Sequence, residues 1–399
     1  MEAKMCLLGV ELGAWQSFEN MAVFPLRFAG NGGPAYITLG EAIERGVFVV
    51  TEVSAGGSVP ELMVENKGDA AVLILDGEEL AGAKQNRVLN TTILVGPKSA
   101  TKIPVSCTEH GRWSYISREF HASGNVMSPG LRQVNMQEVH ASLRSGRQFH
   151  GAQSAVWDGI ARMHVDAEVD SMTGAMRDVF EAKRTVLEDY LKSFKLEAGQ
   201  KGALILIGGE VAGLDFVSRE QAYGLLHAKL VKSYAMEAML AAERVRAGER
   251  AKGRDELSAV TSCKGMLVPD EEGARKESMG KGGKTPKKRG GKAGEATKTG
   301  GGAGDKAAGG EKDKAGAVRP EQAQVRAREF LGKAAECRES RYQSVGLGDS
   351  LRYEGQNVIG SALALDGGII HMAFFKTSGS ERERVEEMAT LSSRRRFRT

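Results

Sequence analysis

Cysteine is scarce: Cys6, Cys107, Cys263 and Cys337 are the only four in 399 residues, far apart and in no CxxC or histidine-linked spacing. A disulfide framework or a structural zinc site needs closer sets, so the four read as reduced thiols. No apolar run approaches the roughly 20 residues of a membrane span, and no basic region followed by an apolar core and a cleavage site opens the chain. A cytoplasmic location is therefore expected, without a membrane. A basic surface is also missing. The net charge is +4, but between Glu271 and Pro320 there are 13 Lys and Arg against 7 Asp and Glu, so that stretch holds +6 and the remainder −2. Nucleic acid is not an expected partner of the body, because phosphate neutralisation supplies most non-specific affinity. Nucleotide motifs are absent too. GGKT at 282–285 has Ser278 where a phosphate loop needs its first glycine, and Gly208, Gly209 and Gly213 have Glu210 at the second glycine position of a dinucleotide fingerprint. No cofactor is expected.

What the chain does have is a change of period. Short runs rich in β-branched residues (47–53, 61–65, 71–75, 90–95 and 100–107) are separated by Gly-Gly, Lys-Gly-Asp and Gly-Pro-Lys-Ser turns. Thr38 and Glu41 form a capping-box pair opening a short helix that Gly46 stops. Beyond Met127 the period turns helical, with Phe149, Val156, Ile160 and Met163 on one face and Met176, Phe180, Leu187, Leu191 and Phe194 on another. The runs 203–207 and 211–216 form a hairpin across Gly208 and Gly209, and Ser218 with Gln221 opens a further helix. The Gly/Lys-rich stretch that follows has no aromatic residue from 271 to 320 and cannot bury enough apolar area to offset its ordering entropy. The runs 358–365 and 369–375, again split by Gly-Gly, are expected to complete the sheet begun at Ala203, making the low-complexity stretch an insertion within one domain. The fold class is thus α+β: an antiparallel β-sandwich-like module over 20–125, packed on a helix-rich α+β module with a small antiparallel sheet over 126–245 and 340–376. A disordered insertion is expected over 246–325 and a basic tail over 380–399.

The segment from Asp76 to Trp113 carries the chemistry. It sets Glu78, Glu79, Lys84, Gln85, Asn86, Arg87, Asn90, Cys107, Glu109, Arg112 and Trp113 among apolar strand-like runs. Amide and guanidinium donors so closely spaced suit a ligand with many hydrogen-bonding groups, such as a phosphate, ribose or base edge. The plainer alternative is a turn at Asp76–Gly77 with solvated carboxylates and an exposed ion pair to Lys84, worth about 0 to 1 kcal/mol. Cys107, near Glu109 and His110, is either an activated thiol or a buried structural cysteine. Glu78 and Glu79 could ligate magnesium through oxygen, but adjacent strand residues face opposite ways unless Gly77 introduces a bulge, so no metal site is assigned. His371, between apolar strand residues, is expected in the core.

The motifs LDGEELAGAKQNRVLNTTILV, IPVSC, GRW, TGAMRDVFE, KSYAMEAM and IGSALALDGGIIHMAFF resemble the ARG and rhodanese-phosphatase-superfamily-associated protein domain family, ARG standing for ADP-ribosylglycohydrolase. The resemblance implies a tie to NAD or ADP-ribose metabolism and to partner enzymes of that metabolism, without a settled activity. In the expected site, Lys84 and Arg87 hold phosphate and Gln85, Asn86 and Asn90 read sugar or base. Arg112 and Trp113 bind the ligand by stacking on a ring, with Trp113 as a core residue the alternative, and Glu78, Glu79 or Glu109 acts as a base. The alternative is a non-catalytic interaction module that docks a partner enzyme.

Overall fold

The computed structural model describes residues 2–30, 33–54, 56, 58, 60–264 and 319–377, without the side chains of 251–264. Two compact units divide the chain, Met1–Ala247 with Gly316–Thr399, and Gly248–Ala315. In the first, α1 (Glu2–Leu8) precedes β1 (Glu11–Leu12), β2 (Gln16–Phe18), β3 (Met21–Arg27) and β4 (Tyr36–Thr38). Next come α2 (Leu39–Glu44), β5 (Phe48–Glu52), β6 (Glu61–Asn66), β7 (Ala71–Ile74), β8 (Glu78–Gly82), β9 (Arg87–Leu89), β10 (Ile93–Val95), β11 (Ser99–Cys107) and β12 (Phe120–Val126). Helices α3 (Pro129–Arg144), α4 (Gln153–Asp166), α5 (Met176–Ala182) and α6 (Arg184–Ser193) lead to β13 (Gln200–Ile207), β14 (Glu210–Val217) and α7 (Glu220–Lys264). Helix α8 (Pro320–Ala335), β15 (Arg338–Gln343), β16 (Asp349–Gly355), β17 (Val358–Leu365) and β18 (Gly368–Lys376) close the described chain. Helices α7 and α8 enter the interval 246–325 from its two ends. Residues 265–318, and the tail at 380–399, lie outside the described residues.

The class is α+β, with curled, sandwich-like sheets. One sheet, in the order β12-β8-β9-β11-β6-β5, curls with the three-stranded β10-β7-β4 around a core of Leu39, Val50, Leu62, Leu80, Leu89, Ile103 and Val105. Within the three-stranded sheet β4 pairs with β7 in parallel, the one parallel pair among the described strands. The other sheet has nine strands, in the order β1-β3-β13-β14-β18-β17-β16-β15 with β2 on β3. Register Gly213↔Phe375 joins β14 to β18, so the strands on either side of the insertion do share one sheet. It is larger than two hairpins because 11–27 also adds its strands beside β13, and β15 and β16 extend the far edge. Helices α1 and α8 cover one face through Leu7, Phe330 and Leu331 against Leu204, Phe216 and Phe374. The opposite face packs Ile205, Val217 and Phe375 against the long helices and against Leu75 and Val88 of the β module.

Local chemistry explains the junctions. At α2, the Thr38 hydroxyl accepts from the Glu41 backbone N–H and the Glu41 carboxylate accepts from Thr38 N–H at 2.9 Å. Thr38→Ala should lower stability by about 1 kcal/mol, read as a lower urea midpoint at unchanged slope; an unmoved midpoint would contradict it. Gly208 and Gly209, at φ +57° and +82°, make the two-residue turn between β13 and β14.

Candidate functional site

Period-2 alternation divides the polar segment between two faces of its sheet. Strand β9 pairs with β11 as Leu89↔Val105, Val88↔Ser106 and Arg87↔Cys107. Leu89 and Val105 belong to the inner core of the β module, so Arg87 and Cys107, two residues along on each strand, share that inner face at its end. Val88 packs toward the helices, and with it face Ser106 and, two residues on, Asn90 and Thr108. The closely spaced donors do not share one strand: the chain turns at 83–86, where Ala83 has φ +39°, and only Arg87–Leu89 of this stretch is strand.

On the helix-facing side every predicted group is engaged. Ser106 donates to Asn90 Oδ1 at 2.8 Å, Asn135 Nδ2 donates to the same oxygen at 3.3 Å, and Asn90 Nδ2 donates to the Phe149 carbonyl at 3.1 Å. Glu79, fully buried, accepts from the Thr108 hydroxyl at 2.9 Å and from Asn125 Nδ2 at 3.3 Å. Burial pushes its carboxyl above the usual range, and bonds from Ser123, Asn125 and Thr108 only partly oppose that. Glu78 forms an ion pair with Lys229 of α7 and accepts the Leu75 N–H at 3.0 Å. Around the turn, Arg112 donates from Nε and Nη2 to the two oxygens of Glu109 at 2.9 and 2.6 Å. It also donates to Asn86 Oδ1 at 3.3 Å, while Asn86 N–H donates to Glu109 at 3.1 Å. Burial would raise Glu109, but the bond from Arg112 and the Asn86 N–H outweigh it and hold the carboxyl below its usual range.

The inner mouth is different, because it keeps unused hydrogen-bonding capacity. Arg87 is 0 % exposed; its Nη1 donates to Gln85 Oε1 at 2.9 Å, while Nε and Nη2 have no partner among the described residues. Both carboxylate oxygens of Glu52, at the end of β5, are likewise buried without a donor. Among the described residues, only Arg87 and Glu52 leave two buried side-chain atoms each unpartnered. A buried charge without a partner costs several kcal/mol, of order, so such groups call for something to bind them. Lys84 Nζ donates to the Gly56 carbonyl at 2.6 Å and lies over the rings of Trp113 and Tyr115, 5.3 and 5.1 Å from their centroids. The Trp113 ring, 49 % exposed, also covers the Arg87 guanidinium at 5.7 Å. Burial pushes the Cys107 thiol above its ordinary value, with Arg87 lowering it and Glu52 raising it. That setting favours the neutral thiol. His110 turns instead to the Trp157 ring, edge-on at 4.5 Å.

A family model matches residues 9–291 and 301–375. The chain belongs to the ARG and Rhodanese-Phosphatase-superfamily-associated Protein domain family. Neither the curated proteins nor the solved structures returned a match to the chain. The family match spans both the mouth of the β module and the nine-stranded sheet, so the two belong to one family domain. Among the described residues no three His, Cys, Asp or Glu side chains converge to hold a metal ion, and no helix is long and apolar enough to cross a membrane.

Several polar residues central to the structure went unread in the sequence. Glu52 closes the alternation Phe48, Val50, Glu52, and a carboxylate in phase with two core residues was the available signal. Arg132 of α3, 0 % exposed, lies between two carboxylates, donating to both oxygens of Asp76 (3.1 and 3.2 Å) and of Asp215 (2.7 and 2.9 Å). Tyr234 donates to Asp215 at 2.9 Å, and the Thr92 hydroxyl sits 3.1 Å from Asp76 and 2.9 Å from His371 Nδ1. His371 is thus in the core as expected, within a polar network. Gly77, at φ +74°, makes room for it, since a Cβ there would come within 2.8 Å of Arg132 Cγ.

Proposed function

We propose that the chain binds a phosphorylated, nucleotide-like ligand of the ADP-ribose type at the mouth of its β module. The observation that carries this reading is the buried Arg87 guanidinium, with two nitrogens unpartnered among the described residues beneath a half-exposed tryptophan. A guanidinium fork matches phosphate oxygens, and its charge-assisted bonds are the strong kind. Lys84 adds a second cation beside it, and Trp113 and Tyr115 offer aromatic faces on which a base can stack. Gln85 orients Arg87. Asn86, Glu109 and Arg112 shape the turn through bonds already made, and Asn90 bonds on the helix-facing side, away from the ligand. The family's name, with its ARG association, supports a link to ADP-ribose metabolism.

Calorimetric titration of the full chain with ADP-ribose should give micromolar binding. Arg87→Gln should weaken it by at least about tenfold, the worth of one or two hydrogen bonds to a charged group, with an unchanged circular-dichroism spectrum. Absence of binding to ADP-ribose, NAD and simple nucleotide phosphates would overturn the reading. The exposed run Trp113, Tyr115 and Ile116 favours a second reading, a surface that docks a partner enzyme. In that case Trp113→Ala would abolish partner capture while no nucleotide bound.

A further inference from the structure

We propose that Glu52 is the second pole of the same site and selects ligands carrying a vicinal diol, the cis-hydroxyl pair of a ribose. The inference rests on the phosphate-binding reading of Arg87 and adds what lies beyond the phosphate.

Strand β5 points Phe48, Val50 and Glu52 to one face, and the first two lie in the inner core. Register Glu52↔Leu62 sets the carboxylate beside another inner-core residue. Glu52 is therefore an inward carboxylate at the end of an apolar row, a costly place for a charge that has no donor. Among the described residues none donates to it. Arg87 gives its one protein bond to Gln85, and the Lys84 ammonium is used on the Gly56 carbonyl. Arg112 is spent on Glu109, Asn86 and backbone carbonyls.

Both Glu52 and Arg87 lie within electrostatic reach of the Cys107 sulfur, from opposite signs of charge. The inner face thus presents two carboxylate oxygens and two guanidinium nitrogens without partners among the described residues, both groups acting on one neutral thiol. A ligand that satisfies both poles must carry an anion for Arg87 and two donor protons for Glu52. A ribose phosphate does so: its phosphate accepts from the guanidinium fork, and its adjacent hydroxyls donate to the two carboxylate oxygens, as an acidic side chain commonly reads a ribose. A metal ion would need further ligands, and no group of three gathers among the described residues.

The test compares ribose 5-phosphate and AMP with their 2-deoxy counterparts by calorimetry on the full chain, then on Glu52→Gln and Arg87→Gln. The wild-type chain should prefer the ribose forms by about 10- to 100-fold, since a deoxy ligand leaves a charged acceptor unmatched. Glu52→Gln should level that preference while keeping phosphate-dependent binding, and Arg87→Gln should weaken both forms alike. Equal binding of ribose and deoxyribose forms by the wild-type chain would overturn the role of Glu52 and leave the phosphate site standing. That comparison decides the matter even if the Glu52 variant does not fold. Failure of every phosphate to bind would remove the Arg87 reading, and this inference with it.

Discussion

Replacing Arg132 with methionine should destabilise the protein by about 3 to 5 kcal/mol, the cost of leaving buried charges without their partner. The guanidinium is held by Asp76 from the β module and Asp215 from β14, and its carbon lies 4.8 Å from the Phe375 ring centroid. Burial by itself would raise the Asp76 carboxyl, but Arg132, with His371, outweighs it and keeps the group below the ordinary carboxylate range. Asp215 is held low in the same way, burial being offset chiefly by Arg132. Without the arginine, two carboxylates face each other in the core with Thr92, Tyr234 and His371 as their remaining partners among the described residues. Urea denaturation followed by circular dichroism measures the loss. The triple variant Arg132→Met, Asp76→Asn, Asp215→Asn should recover part of it, because no buried charge then remains. A loss below about 1 kcal/mol for Arg132→Met would show that the network holds less of the fold together than buried ion pairs do.

Acidification below about pH 6.5 should cost the fold more than about 2 kcal/mol by pH 4.5 through His140 alone, each pH unit beyond the midpoint being worth about 1.4 kcal/mol. Burial first, then Arg352 and Arg144, push the imidazole from 6.5 down to about 2. In the unfolded chain His140 takes up a proton as pH falls through its ordinary value; in the folded chain it does not until near 2. The unfolded state therefore binds more protons across that window, and stability falls as pH falls. Glu354, whose oxygen lies 3.3 Å from Nδ1, acts the other way, but Arg144 is paired with the same carboxylate. Burial lowers His121 and His227 too, so they add to the slope. The Asp76 and Asp215 contributions are present above the unfolded aspartate value and disappear only at lower pH. Chemical denaturation from pH 7 to 4.5 should show a shallower decline for His140→Gln. Parallel curves for the two proteins would exclude His140 as the source.

The expected hairpin at Gly208–Gly209, the capping box at Thr38 and Glu41, and the rejoining of 358–375 to the sheet of Ala203 all stand in the structure. Each rests on local geometry: a positive φ, a three-residue reach, or an apolar run needing a partner. The polar segment shows where locality ends. A dense row of acids, amides and cations was visible from Glu78 to Arg112, yet the turn at Ala83–Asn86 sets which residues face inward, and it has no strong sequence signature. Asn90 and Glu79 consequently bond toward α3 and β12, while Arg87 and Cys107 close the mouth.

From its residues alone, this chain determines most of its elements, its α+β class, the reach of its sheet across the insertion and its family, because these follow from periodicity, turn chemistry and motif. The tertiary structure decides that Glu52 and Arg87 both face the interior of the β module and that Arg132 joins Asp76 to Asp215 over separations of 56 and 83 residues. Alternation tells which neighbours share a face. Only packing tells which distant face lies opposite, and an unpartnered buried charge becomes visible only once every other partner has been placed.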